Sequence, residues 1–182
     1  MFRSRREFIG DASVASLTIA TMSQASARAA APNDRVTLGF VGCGGRARSL
    51  MQGFSQVANV AWACDPDASR AEKFKQASGA AHATDDFRKM LDDPAVDAVV
   101  VATPDHWHAP AAIMACDAGK HVYVEKPCSH NFRENELLVA AAKRNQVVVQ
   151  HGTQSRSSRM IVNAMQLIRE GLIGDVLVAR DW

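Results

Sequence analysis

The 182-residue sequence lacks an excess of charge of either sign, and it lacks any long apolar run. Lys and Arg together number 21 against 19 Asp and Glu, which gives a net charge of +2. A nearly neutral chain offers no electrostatic basis for nucleic acid as a partner. With 47% hydrophobic and 22% charged residues, the composition is that of a globular domain, which excludes a disordered chain and a multi-span membrane protein.

Cysteine is also scarce, and no two cysteines form a C-x-x-C pair. We predict four free and mostly buried thiols, because a chain of this length has enough apolar core to fold without disulfides. His106 and His108 form a His-x-His pair of the kind that ligates zinc, but no spacing completes a closed site, so we predict no metal. The four cysteines are Cys43, Cys64, Cys116 and Cys128, and the further histidines that could ligate a metal are His82, His121, His130 and His151.

The N-terminal segment has the three-part pattern of an export signal. A basic start with Arg5 and Arg6 precedes a mildly apolar stretch at 12–22, and A-x-A cleavage patterns follow at 25–29. The apolar stretch is too short and too polar to span a bilayer, so we predict no stable membrane anchor. The segment S-R-R-E-F-I resembles a twin-arginine signal, which predicts removal of residues 1–29 and a periplasmic or otherwise exported protein.

Beyond residue 34, short apolar runs alternate with segments that favour helix. Strand patterns lie at 36–41, 57–64, 80–83, 97–103, 121–124 and 147–151. Helical patterns lie at 46–56, 67–78, 85–92, 109–118, 131–145 and 156–170. Such alternation predicts a parallel sheet with helices on both faces. Right-handed crossovers then give a Rossmann-like, doubly wound α/β fold, which we place at 34–152.

A glycine-rich turn joins the first predicted strand to the first predicted helix. The motif is G-C-G-G-R-A at 42–47, which matches G-x-G-x-x-A between a strand and a helix. Gly42 allows the tight turn, Gly44 lets the backbone approach a pyrophosphate, and Ala47 lets the helix pack closely on the sheet. Free N–H groups at a helix N-terminus bind phosphate, so the motif predicts a dinucleotide site. Its predicted residues are Gly42, Gly44, Gly45 and Arg46.

The second predicted strand ends in Asp65, 23 positions after Gly42. A carboxylate at this place accepts hydrogen bonds from the adenosine ribose and repels a 2′-phosphate, which favours NAD over NADP. Arg46 and Arg70 lie nearby in the sequence and keep NADP open as an alternative cofactor. Asp65 also fits an Asp-Pro helix cap, and the two roles are compatible.

Four segments resemble a known family. They are GFVGCGGRA at 39–47, ACDPD at 63–67, ATPDHWHAPAAIMACDAGKHVYVEKPCSHN at 102–131 and GTQSR at 152–156. Together they resemble the Gfo/Idh/MocA oxidoreductases, the relatives of glucose–fructose oxidoreductase and inositol dehydrogenase. The TPDHWH and AGKHVYVEKP segments are the most specific, and a twin-arginine leader is also known in this family. The resemblance implies an NAD(P)-dependent oxidoreductase.

Two loops at the carboxyl ends of predicted strands are expected to flank the nicotinamide half of the cofactor, because ligands of open α/β sheets bind there. The resemblance implies that Lys126 is catalytic: it reaches the cofactor and the substrate hydroxyl, where an ammonium stabilises developing alkoxide character. Glu125 would anchor the same loop, and Pro127 would fix its direction, with a cis bond as one route. We expect Trp107 beside the nicotinamide. The residues expected at the nicotinamide end are Thr103, Pro104, His106, His108, Glu125 and Lys126. Packing at a helix N-terminus is the alternative for the two histidines.

The resemblance implies hydride transfer between NAD(P) and a secondary alcohol of a sugar or cyclitol. Three alternatives stay open. They are a non-catalytic nucleotide-binding remnant, an NAD-dependent glycoside hydrolase, and a flavin or S-adenosylmethionine protein, against which the EKP segment argues.

Members of this family continue into a second α/β domain that holds most of the substrate pocket and usually a catalytic histidine. We expect residues 153–182 to form a connecting helix and, at 176–180, the first strand of that domain, truncated in this sequence. The chain is then a fragment or a stand-alone cofactor-binding module. Homo-oligomers are expected where the second domain exists.

Overall fold

The computed structural model describes residues 35–180, and the predicted export signal lies outside them. Six strands form one sheet in the order β3-β2-β1-β4-β5-β6, and every neighbouring pair is parallel. This is the strand order of doubly wound dinucleotide-binding folds, so the predicted Rossmann-like α/β class is confirmed. The strands are β1 Thr37–Val41, β2 Asn59–Cys64, β3 His82–Thr84, β4 Ala98–Val101, β5 His121–Glu125 and β6 Val149–Gly152.

Helices connect the strands and cover both faces of the sheet. Two of them begin at the side-chain caps that their sequences offer: Asp67 accepts from the N–H groups of Ser69 and Arg70, and Asn131 accepts from that of Glu134. The helices are α1 Gly45–Phe54, α2 Ala68–Ser78, α3 Arg88–Leu91, α4 His108–Asp117, α5 Phe132–Asn145 and α6 Arg159–Arg169, with 3₁₀ turns at Asp105–Trp107 and Gln154–Ser157.

The core consists of two apolar layers, one on each face of the sheet. Because successive side chains of a strand point to opposite faces, Val99 and Val101 of β4 enter one layer and Val100 enters the other. The first layer is filled by small residues of α4 and by Leu138 of α5. The second contains Phe40 of β1, whose ring lies 5.0 Å from that of Phe74 on α2. Burial on both faces explains why the central strands β1 and β4 are nearly continuous apolar runs.

Two predicted elements differ from the structure. The helix predicted at 85–92 is only α3, because Asp86 accepts hydrogen bonds from the backbone and guanidinium of Arg88 in a local turn that precedes it. The strand predicted at 176–180 is wrong: these residues are exposed and form no strand. A strand needs a hydrogen-bonded neighbour, and the described residues contain no strand paired with this segment.

None of the helices between residues 35 and 180 is long and apolar enough to cross a membrane.

The four cysteines are free, as predicted. Cys43, Cys64 and Cys116 are buried, and Cys128 is half-buried. Burial, reinforced by the neighbouring Asp65 carboxylate, raises the pKa of the Cys43 and Cys64 thiols to about 12. The thiolate is the reactive form of cysteine. Burial and a raised pKa therefore both protect Cys43, in the turn after β1, and Cys64, at the end of β2.

We therefore expect iodoacetamide at pH 8 to alkylate Cys128 first in the native chain. Raised pKa values leave little thiolate at Cys43 and Cys64 at this pH, and burial restricts Cys116. Mass spectrometry of tryptic peptides after timed quenching measures the four rates. The same reaction in denaturant, where all four should react, is the control. Equal native rates at Cys43 and Cys128 would contradict the burial described here.

Candidate cofactor and catalytic site

The glycine-rich turn between β1 and α1 lies where the strand order reverses, at the carboxyl ends of β1 and β4. Gly42 has φ +83° and donates its N–H to the carbonyl of Cys64 at 2.8 Å. A Cβ at this position would lie 2.6 Å from the carbonyl oxygen of Ala102. Both the backbone angle and the close approach therefore require glycine at position 42.

The N-terminus of α1 is open, as a phosphate site needs. The first N–H groups of an α-helix have no intrahelical partner, and Gly44, which precedes α1, supplies no side-chain cap for them. A Cβ built at Gly44 or Gly45 would meet no atom within 4 Å, whereas Ala47 is fully buried against the sheet. The turn thus presents backbone amides on its open side, and α1 packs closely on the sheet on its other side. This arrangement fits a bound pyrophosphate.

Asp65, at the end of β2, holds this turn from within the protein. Its side chain is buried, with 4% of the residue exposed. One carboxylate oxygen accepts the N–H of Cys43 at 2.9 Å, and the other accepts that of Asp67 at 3.0 Å. The Arg70 guanidinium lies 3.4 Å from the carboxylate. A ribose contact from Asp65 stays a prediction. What the structure shows is a carboxylate that joins β2 to the glycine-rich turn.

Replacing Asp65 by Asn should therefore lower the free energy of unfolding by about 1.5–3 kcal/mol, the usual contribution of a hydrogen bond to a charged group. The amide keeps one acceptor oxygen but turns an NH₂ group toward one of the two N–H donors. Urea denaturation measures the loss. Asp67→Asn is the matched control, because Asn caps a helix as well as Asp and should be nearly neutral. Equal effects of the two changes would contradict a special role for Asp65.

Glu125, at the end of β5, is the centre of a second network. It is 3% exposed, and its Oε1 accepts from Arg46 Nη2 of α1 at 2.6 Å. The carboxylate also accepts the N–H of Lys126 at 3.2 Å. This hydrogen bond to Glu125 raises the pKa of Arg46, so the guanidinium stays charged. The pair ties the first turn of α1 to the strand end that carries Lys126.

Sequence reasoning missed two residues that support Glu125. The hydroxyl of Tyr123 lies 3.4 Å from Glu125 Oε1, and Gly152 of β6 pairs with Glu125 across the sheet. A Cβ at position 152 would lie 2.7 Å from the Tyr123 hydroxyl. The contact of Tyr123 with Glu125 could have been predicted from their spacing, because residues i and i+2 of a strand share a face.

The loop after β4 presents exposed side chains around one buried histidine. Pro104, His106 and Trp107 are exposed, and the Thr103 hydroxyl is buried with no hydrogen-bond partner among the described residues. His108 is buried instead, and its two ring nitrogens lie near carbonyl oxygens of the protein. An orphaned hydroxyl at a strand end fits a polar group of a ligand. Direct cofactor contacts of these residues stay predictions.

Lys126 follows β5 and is exposed, and its peptide bond to Pro127 is cis. Its loop and the loop after β4 leave neighbouring strands at the same edge of the sheet. Between residues 35 and 180, no three His, Cys, Asp or Glu side chains cluster in a way that could hold a metal ion. The site therefore combines a phosphate-type turn, a buried carboxylate network and one exposed ammonium.

Comparison with known proteins identifies the family of this fold. Residues 36–153 match the model of the oxidoreductase family with an NAD-binding Rossmann fold, GFO_IDH_MocA. Levoglucosan dehydrogenase of Pseudarthrobacter phenanthrenivorans is 36% identical over 109 residues, which cover 57% of this chain and 28% of that protein. A glycosyl hydrolase family 109 protein of Solibacter usitatus is 32% identical over 195 residues, covering 95% and 44% respectively. The chain spans less than half the length of these relatives.

A solved structure has the same architecture. The WlbA dehydrogenase of Bordetella pertussis, in complex with NADH and UDP-GlcNAcA, matches with a TM-score of 0.71 and 26% identity over 76% of this chain and 43% of that one. The family model spans every strand of the sheet and both loops of the site. The chain therefore belongs to the Gfo/Idh/MocA family of NAD-binding, Rossmann-fold oxidoreductases.

Proposed function

We propose that this chain supplies the NAD-binding half and the catalytic lysine of a dehydrogenase that acts on a secondary alcohol of a sugar or cyclitol. The observation that carries the proposal is the link between Arg46 and Glu125. It joins the open N-terminus of α1, which suits the pyrophosphate, to the strand end where Lys126 is exposed. A cofactor in this crevice would have its phosphates at one end of the link and its reactive ring toward the other.

NAD is the cofactor that we propose for this chain, with NADP as the weaker ligand. Two acidic residues, Asp65 and Asp67, lie at the end of β2, where they disfavour a 2′-phosphate. Of the two arginines that keep NADP open, Arg46 is paired with Glu125, whereas Arg70 stands beside Asp65 and Asp67. Only Arg70 is therefore placed near the end of β2.

When bound, NAD would supply the hydride acceptor. The chain's own part is to bind, orient and stabilise charge. The N–H groups at the start of α1 would hold the pyrophosphate, and Lys126 Nζ would donate a hydrogen bond to the substrate oxygen as negative charge develops on it. Glu125 and Arg46 keep the backbone of Lys126 in place while its side chain stays exposed.

Two measurements test the proposal. Calorimetric titration of the chain should show NAD binding more tightly than NADP. With NAD present, a panel of levoglucosan, myo-inositol and simple hexoses should include a compound that yields NADH, followed by its absorbance. Absence of NAD binding would reject the cofactor assignment. Binding of NAD without any turnover would reject catalysis by this chain alone and would give it the role of a cofactor-binding module.

A second candidate function is NAD-dependent glycoside hydrolysis, which the glycosyl hydrolase family 109 relative favours. In that case an aryl glycoside would be cleaved in the presence of NAD with no net formation of NADH. Release of the aryl alcohol and absorbance of NADH, recorded together, separate this activity from net dehydrogenation.

Export through the twin-arginine route is part of the same proposal. It is supported by the paired Arg5 and Arg6 ahead of an apolar stretch. Fusion of residues 1–34 to a folded reporter protein should direct the reporter to the periplasm. Replacement of both arginines by lysine should retain the reporter in the cytoplasm, and unchanged export would contradict this route.

A further inference from the structure

His108, the first residue of α4, lies between the two loops of the site. It is 2% exposed. Its Nδ1 lies 2.5 Å from the carbonyl oxygen of Pro127, and its Nε2 lies 2.9 Å from that of Thr103. Thr103 belongs to the loop after β4, and Pro127 belongs to the loop after β5. One buried ring therefore contacts the backbone of both loops.

A backbone carbonyl only accepts hydrogen bonds, so the ring is the donor in any hydrogen bond that it makes here. A neutral imidazole has one N–H and one lone pair, and the nitrogen that carries the proton decides which of the two carbonyls is bonded. In either tautomer the ring bonds the backbone of one loop and lies against the carbonyl of the other.

The backbone around Lys126 is then fixed on both sides. Before it, Glu125 accepts the N–H of Lys126 and is held by Arg46. After it, the ring of His108 lies against the carbonyl of Pro127. The side chain of Lys126 itself stays exposed between these two fixed points. Such an arrangement orients a reactive group without contacting it.

We propose that His108 is a positioning residue for Lys126: its buried ring contacts the backbone of both loops and holds the loop after β5 against the loop after β4. We refer to this pair of contacts as the His108 bridge. The inference rests on the proposed role of Lys126 in hydride transfer. It also gives His108 a function other than the direct cofactor contact predicted from the sequence. A residue that only fills space at the start of α4 would need neither contact.

The first test is spectroscopic and needs no substrate. The full chain is labelled with ¹³C and ¹⁵N, and the ring signals of the histidines are assigned through their backbone resonances. We expect a ring N–H of His108 that exchanges slowly with water, because the ring is buried against two backbone carbonyls. A ring N–H of His108 that exchanges as fast as that of the exposed His130 would overturn the His108 bridge. This measurement on the wild-type chain decides the matter even where His108→Gln fails to fold.

The second test separates positioning from packing. In His108→Gln, which keeps one donor, we expect kcat to fall by roughly a hundredfold, as for a small misplacement of a catalytic group. The KM for NAD should change little. The matched control is His130→Gln, which replaces an exposed histidine of the loop after β5 and should behave as the wild type. A loss confined to NAD affinity, with kcat unchanged, would overturn positioning of Lys126. Absence of turnover in the wild type would count against the proposed function, and the ring-nitrogen spectrum would still decide the bridge.

Discussion

Gly42→Ala is expected to lower the free energy of unfolding by roughly 2–5 kcal/mol and to abolish NAD binding. An L residue in the left-handed region costs roughly 1–2 kcal/mol, and crowding of a packed interior adds roughly 1–3 kcal/mol. At position 42 the new methyl group would meet the backbone of Ala102, which cannot rotate away. Relief of the clash would have to move β1 away from β4, and the phosphate turn would move with it.

Urea denaturation measures the first effect and calorimetric titration with NAD the second. Gly53→Ala is the matched control, because Gly53 lies within α1, has no positive φ and has open space at its Cβ. Replacement of a helical glycine by alanine should raise the free energy of unfolding by roughly 0.5–1 kcal/mol. If Gly42→Ala retained wild-type stability and affinity, the glycine-rich turn would not have the backbone described here.

Lys126→Met should reduce kcat by roughly 10²–10³-fold, the usual loss when one donor to a developing oxyanion is removed. Methionine keeps the length and the apolar stem of the side chain but removes the ammonium. Because Lys126 is exposed and its backbone is held by Glu125, stability should change little. Initial rates of NADH formation over a range of substrate concentrations separate kcat from KM.

The matched control for this change is Lys143→Met, since Lys143 is an exposed lysine on α5, away from both loops. Its kinetics should match those of the wild-type protein. Retention of activity in Lys126→Met would show that another group stabilises the substrate oxygen, and it would remove the catalytic role proposed for Lys126.

Most of the fold follows from local patterns in the sequence. Strand patterns in the sequence predicted all six strands of the sheet. The signal is clearest in β1 and β4, which are buried on both faces and therefore show no polar alternation. Asp67 and Asn131 marked helix starts through their capping chemistry. The error at 176–180 arises because an apolar run forms a strand only where a partner strand is available to pair with it. The residues of the run do not show whether such a partner is present.

The candidate site was predictable in its components but not in its connections. Glycine spacing located the turn, and the EKP segment located Glu125 and Lys126. The pairing of Arg46 with Glu125 joins residues 79 positions apart, and the contact of Asp65 with the Cys43 amide joins residues 22 apart. Such contacts depend on how the strands are ordered, which local periodicity does not specify. The two carbonyl contacts of His108 are of the same kind.

The position of β1 at the middle of the sheet also governs how the protein can be made. Of the strands between residues 35 and 180, β1 is the first to leave the ribosome. Its neighbour β2 follows soon, but its other neighbour β4 is translated much later, and the amide of Thr37 bonds to Asp97, 60 residues away. Non-local pairing of this kind slows folding, because a long loop must close before the contact with β4 forms. The nascent chain therefore carries an apolar strand with only one of its two neighbours for much of synthesis. Holding chaperones should bind the nascent chain during this interval. Their depletion should reduce the yield of native protein but leave the free energy of unfolding of the folded protein nearly unchanged.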